Sequence, residues 1–257
     1  MTTLDERLGA LRDGGRRALV PYLMAGVRPD WGRLLEALVA GGADAIEVGL
    51  PFSDPMMDGP VIQEAALAAL AAGTTFDSVV AELASLDLGV PLVAMTYCNV
   101  VYHYGLERAA GRLREAGVLG AILPDLALEE LGEWSAAGDD ADLATVLMVA
   151  PATPPERVAA VVERSRGFVY AAARMAVTGA ADGLGDGAAV VARIRAVSRT
   201  PAYVGIGIAS PEQARAATRV ADGAIVGSAL VRRVLDGSSP EEVQSFVRGL
   251  REAIDHP

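Results

Sequence analysis

Lysine is absent from this chain: all 22 basic residues among its 257 are arginine. Schiff-base aldol chemistry and a lysine-tethered pyridoxal group both need an ε-amino group, so both are excluded. Histidine is nearly absent, with only His103 and His256, the latter beside the C-terminus, which puts a polyhistidine metal centre out of reach. The single cysteine, Cys98, cannot form an internal disulfide and agrees with a reducing compartment. No stretch reaches the roughly 18 to 20 uninterrupted apolar residues of a membrane span. Met1 to Arg17 lacks the apolar core of a signal peptide, so a soluble, cytoplasmic protein is expected. A basic stripe is missing as well. With 33 acidic residues and a formal net charge of −11, the chain would repel nucleic acid and anionic membrane. Carboxylates, hydroxyls and backbone dipoles are left to carry any chemistry.

What is present is an alternation of short apolar runs with amphipathic or Ala-rich helical stretches. No Pro/Ser-rich linker or charge block divides it. At 52% apolar residues this length suits one core, and repeated βα units point to an α/β fold, a single (β/α)8 TIM barrel spanning residues 1–257. Eight strands are expected: Ala18 to Met24, Ala45 to Gly49, Pro91 to Thr96, Ala121 to Leu123, Ala144 to Ala150, Phe168 to Ala172, Ala202 to Gly205 and Ala224 to Val226. Runs such as Thr145 to Ala150 are continuously apolar, as parallel strands buried on both faces should be. Three helix starts are legible at Thr153-Pro154-Pro155-Glu156, Ser210-Pro211-Glu212-Gln213 and Ser239-Pro240-Glu241-Glu242. Each offers a hydroxyl at the N-cap, Pro at N1 and Glu or Gln at N3. The glycine-rich stretch from Met175 to Gly187 reads as a lid-like loop after the sixth strand.

Glu47 ends the second strand, in Ala45-Ile46-Glu47-Val48-Gly49. An ionisable residue has no comfortable place against the helical layer, so it should point inward near the C-terminal mouth, where barrel enzymes hold their substrates. There it is either satisfied by an arginine or backbone donors, or it is poised for chemistry. Asp54 and Asp125 sit beside proline in loops, where a turn-capping role suits them. Glycines of Gly205-Ile206-Gly207 and Gly227-Ser228 follow strands seven and eight. Loops there often cradle phosphate, because glycine lets backbone N–H groups approach its oxygens. Cys98 reads as a small buried residue and His103 as a loop histidine.

From Glu47 to Pro60 the chain closely resembles the tryptophan synthase α family, whose signature is E-x-G-x-P-F-S-D-P-x-x-D-G-P. The likeness continues through Met95-Thr96-Tyr97-Cys98-Asn99, Leu123-Pro124-Asp125-Leu126, Ala150 to Pro154, Gly167 to Tyr170, Val177-Thr178-Gly179, Gly205 to Ile208 and Gly227-Ser228-Ala229. The resemblance implies a reverse aldol cleavage of indole-3-glycerol phosphate to indole and glyceraldehyde 3-phosphate, with no metal or organic cofactor. It implies Glu47 as the principal acid/base and Asp58 as the second catalytic carboxylate. Tyr97, Tyr170 and Thr178 fall at substrate positions, and Gly179, Gly207, Gly227 and Ser228 at the phosphate. The partner it implies is a pyridoxal-dependent β subunit in an αββα-type complex, with the loop holding Asp54 near the subunit contact. A freestanding indole producer, or a catalytically weak paralogue that regulates a β-type partner, are the alternatives. The chain departs from the family pattern at Met24, Val27, Met57, Val100, Ala173, Met175 and Ala176, several of which touch the lid.

Overall fold

The computed structural model describes residues 2–172, 186–205 and 207–256. Eight parallel strands close on themselves in sequence order: β1 (Ala18–Met24), β2 (Ile46–Gly49), β3 (Leu92–Met95), β4 (Val118–Ile122), β5 (Ala144–Val149), β6 (Val169–Ala172), β7 (Ala202–Gly205) and β8 (Gly223–Val226). Pairing of β1 with β8 completes the ring. The expected barrel is therefore the observed one. Every residue of β1, β2, β7 and β8 is buried, which is the burial that helices outside and side chains inside impose on a parallel strand.

Inward positions carry Val20, Ala45, Val93, Ile122, Val146, Phe168 and Ile225, which pack into one cluster with Leu4 and Leu8 of the helix Leu4–Asp13. That helix plugs the N-terminal end of the barrel, and a Cβ on Gly120 or Gly167 would fall 2.7 or 2.4 Å from Leu4 Cδ2. Thr3 and Glu6 form a capping box that fixes its start. With this end stoppered, the barrel interior can be reached from its C-terminal end.

The plug also explains a misplaced boundary. β4 begins at Val118, ahead of the expected Ala121, because Gly120 weakens the strand pattern while making room for Leu4. Ser210 and Ser239 cap their helices as expected, accepting from the N–H groups of Gln213 and Glu242. Thr153 does not cap the next helix. Its hydroxyl accepts from Ala150 N–H at 2.9 Å and closes the turn after β5, and the helix Pro155–Arg164 starts with Pro154 at an N-cap that no side chain satisfies. A nearer backbone donor has taken the hydroxyl. Among the described residues no single helix is long and apolar enough to cross a membrane.

Candidate active site

Glu47 lies in register with Tyr22 on β1 and Val93 on β3. Val93 belongs to the interior cluster, so Glu47 shares its inward face, and it is 2% exposed. Its Oε2 is buried without a hydrogen-bond partner among the described residues. The structural alternative of a Glu fully satisfied by arginine or backbone is thus not what the fold builds. Burial, and then the nearby charge of Asp58, push the carboxyl up to about 8.

Asp58 stands on the loop between β2 and the helix Pro60–Ala71. The loop is bound from several sides. Asp58 N–H donates to Pro55 O, Gln63 Nε2 donates to Asp58 O at 2.9 Å, and Met57 N–H donates to the Tyr97 hydroxyl at 3.1 Å. Tyr97 also stacks on Phe52 with ring centroids 5.2 Å apart. Burial raises the Asp58 carboxyl, and a hydrogen bond with Tyr97 counteracts it. The two acids therefore occupy different surroundings, one buried with an oxygen that has no partner among the described residues, the other half-buried and held by a phenol. Such a difference lets two carboxylates divide acid/base and electrostatic roles.

Tyr170 enters from β6 and is buried, and its ring lies across Gly205, whose Cβ would fall 2.1 Å from the Tyr170 hydroxyl. After burial, Glu47 and then Asp58 hold its hydroxyl proton most firmly. Glu47, Asp58, Tyr97 and Tyr170 are thus brought to one end of the barrel. Sequence reading passed over Tyr22, which the same charges perturb. Its only signal was its place opposite Glu47 once strands were paired, because a tyrosine in an apolar run otherwise reads as packing.

After β7, Gly207 is exposed with φ +84°, a conformation that favours glycine. Gly227 precedes the helix Ser228–Leu235, whose N-terminus carries no side-chain cap, and Ser228 is exposed at its first position. The helix Pro211–Val220 differs in having its own cap, Ser210. Unsatisfied N–H groups beside glycine are what an anion needs. Thr178 and Gly179 lie outside the described residues, as do Ala173, Met175 and Ala176 and most of the glycine-rich stretch.

The remaining acids do what turns require. Asp125 accepts from Cys98 N–H at 3.0 Å and starts the helix Cys98–Tyr104. Asp54 accepts from the Ser53 hydroxyl, and its carbonyl accepts from Met56 N–H. Cys98 is half-buried, its thiol pushed up to about 12 by burial and by Asp125, which leaves it unreactive. His103 lies in the last turn of that helix, not in a loop.

The sequence profile of the tryptophan synthase alpha chain matches residues 8–254. The chain belongs to the tryptophan synthase alpha chain family. It is 43% identical to the tryptophan synthase alpha chain of Laribacter hongkongensis over 99% of this chain and 100% of that one. It is 45% identical to that of Mycobacterium marinum over 94% and 95%. The solved tryptophan synthase subunit alpha of Legionella pneumophila superposes with a TM-score of 0.91 at 32% identity, covering both chains fully. A structure of Mycobacterium tuberculosis tryptophan synthase superposes at 0.89 with 40% identity over 99% of each.

Proposed function

We propose that Glu47 and Asp58 perform the lyase reaction of this family, the cleavage of indole-3-glycerol phosphate to indole and glyceraldehyde 3-phosphate. The observation that carries this reading is a buried Glu47, its Oε2 without a partner among the described residues, held protonated near neutrality beside a second carboxylate. Protonated Glu47 gives its proton to indole C3, which places positive charge on the ring. The resulting carboxylate then takes the proton from the hydroxyl on the adjacent carbon. As that oxygen becomes the aldehyde, the C–C bond breaks and its electron pair returns to the ring. Glu47 ends as it began, so no net proton is consumed. Ionised Asp58 faces the indole N–H and offsets the ring's charge.

Tyr97 acts through the Asp58 loop, and Tyr170 lines the opposite wall beside the reacting chain. Gly207, Gly227 and Ser228 bind the phosphate, with Gly179 assigned there and Thr178 to the rest of the substrate on the family pattern. The partner is a tryptophan synthase β subunit that meets the loop after β2. Met56 and Met57, on that loop, are 80% and 61% exposed, two adjacent apolar side chains that a partner could cover. Purified chain supplied with indole-3-glycerol phosphate should release indole, and a β subunit should bind it. No release with or without that subunit would leave the regulatory paralogue as the better account.

A further inference from the structure

Three tyrosines reach the catalytic end of the barrel, and their hydroxyls are employed differently. That of Tyr97 accepts from Met57 N–H and is hydrogen-bonded to Asp58, so it is committed to the loop. Tyr22, from β1, is 4% exposed and stands in register with Glu47. A Cβ on Gly227 would lie 3.7 Å from Tyr22 Cβ and 3.9 Å from its Cγ and Cδ1, whereas a Cβ on Gly49 would lie 2.0 Å from its hydroxyl oxygen. The ring therefore starts beside the β8 glycine at the head of the helix Ser228–Leu235. It ends with its hydroxyl over the last residue of β2, just beyond Glu47 and at the root of the Asp58 loop. That path runs between the proposed phosphate end and the proposed acid/base pair.

After burial, Asp58, Glu47, Tyr97 and Tyr170 act on this hydroxyl through charge alone, with no hydrogen bond among them, and together they keep it protonated. It is thus a neutral donor that meets no acceptor among the described residues, in a low-dielectric setting where one more donor counts. Gly49 admits it, since any larger residue there would collide with the phenol.

We propose that the Tyr22 hydroxyl contacts the substrate directly, donating a hydrogen bond to the oxygen on the carbon adjacent to indole C3. This rests on the assignment of Glu47. In the step concerned, that oxygen loses its proton to the Glu47 carboxylate while the C–C bond breaks and the C=O bond forms. Tyr22 keeps its own proton throughout and stabilises the charge that gathers on the oxygen. Aligned with Gly227 at one end and Glu47 at the other, it also fixes which chain hydroxyl meets the base.

Tyr22→Phe removes the hydroxyl and keeps the ring that packs along Gly49 and Gly227. Steady-state indole release should lose about 10- to 100-fold in kcat/KM, mostly in kcat, because a donor to a developing oxyanion is worth that much. Binding of indole-3-propanol phosphate, whose chain bears no hydroxyl at the reacting carbon, should stay within about twofold of wild type, as a contact to the missing oxygen requires. Wild-type kcat/KM in the Phe variant, or an equal loss for the propanol analogue, would overturn the proposal and reduce Tyr22 to packing. Glu47→Gln assayed alongside separates the two assignments. If it is inactive while Tyr22→Phe is unimpaired, only the Tyr22 contact fails; if it is fully active, the acid/base assignment fails and this proposal with it.

Discussion

At the residue scale, Glu47 was legible because a charge has no place in a continuously apolar strand unless it faces inward for a purpose. That its Oε2 has no partner among the described residues was not legible, since that depends on which residues seven other strands bring near it. Tyr22 was hidden by the same dependence, and Thr153 was misread because a local turn competed for its hydroxyl. The condition of Glu47 has a measurable cost to stability. Its carboxyl sits at about 8 in the folded chain against the ordinary 4.5. The folded state holds this proton where the unfolded chain releases it. The group's contribution to stability is therefore fully present below about pH 4.5 and is lost as pH rises toward 8. Glu47→Gln abolishes that loss. Urea denaturation should find the variant more stable than wild type by up to about 3 kcal/mol at pH 7, with the gain shrinking toward pH 5. A difference independent of pH would mean that Glu47 is not held protonated. Asp58→Asn should depress turnover strongly, by about 10² or more, since a neutral amide cannot balance charge on the indole. An Asn variant with near-normal kcat would move that role to another acid.

At the element scale, strand and helix alternation was readable from period and length alone, and β1 and β7 came out with the expected limits. Sequence reading gave no hint of how the last helix is moored. Arg251 of the helix Pro240–Asp255 is 6% exposed, and its Nη1 donates to Asp44 at 2.8 Å and to Arg17 O at 2.9 Å. Asp44 in turn accepts from Leu19 N–H and pairs with Arg16, so one carboxylate ties β1, the approach to β2 and the final helix together. Arg251→Met strands part of that charge. Denaturant titration should show a loss of about 3 kcal/mol, with Arg16 retaining some of the pairing. A loss below about 0.5 kcal/mol would show that apolar packing alone moors the helix. At the uncapped helix after β8, Gly227→Val places a side chain where the first N–H groups open to the mouth. Titrations should show phosphate-bearing ligands weakened by about 1.5 to 3 kcal/mol and free indole little affected. Equal losses for both would refute the anion site.

At the scale of the whole molecule, closure of the barrel was legible because eight strand signals in order leave few other architectures. The plugging of its lower end was not, since it depends on two distant glycines, Gly120 in β4 and Gly167 ahead of β6, yielding to one leucine. Two of the departures from the family pattern, Met24 and Val27, are apolar and buried, at 2% and 7% exposed. Where the family has polar groups, these two pack into the core beside the mouth, so the network that reports ligand state to a β subunit should be weakened. Titrating a β subunit into the indole-release assay should stimulate it less than about tenfold, or about 1.4 kcal/mol of coupling. A larger stimulation would contradict this and restore ordinary coupling. The central claim, that Glu47 is the acid/base group of an indole-releasing lyase, is met most directly by indole release from indole-3-glycerol phosphate between pH 6 and 9.5. Wild type and Glu47→Gln should be compared. The account predicts a wild-type kcat/KM that declines with a limb near pH 8 and a Gln variant slower by about 10² to 10⁴-fold or more at every pH. A Gln variant with wild-type turnover and the same limb would contradict it.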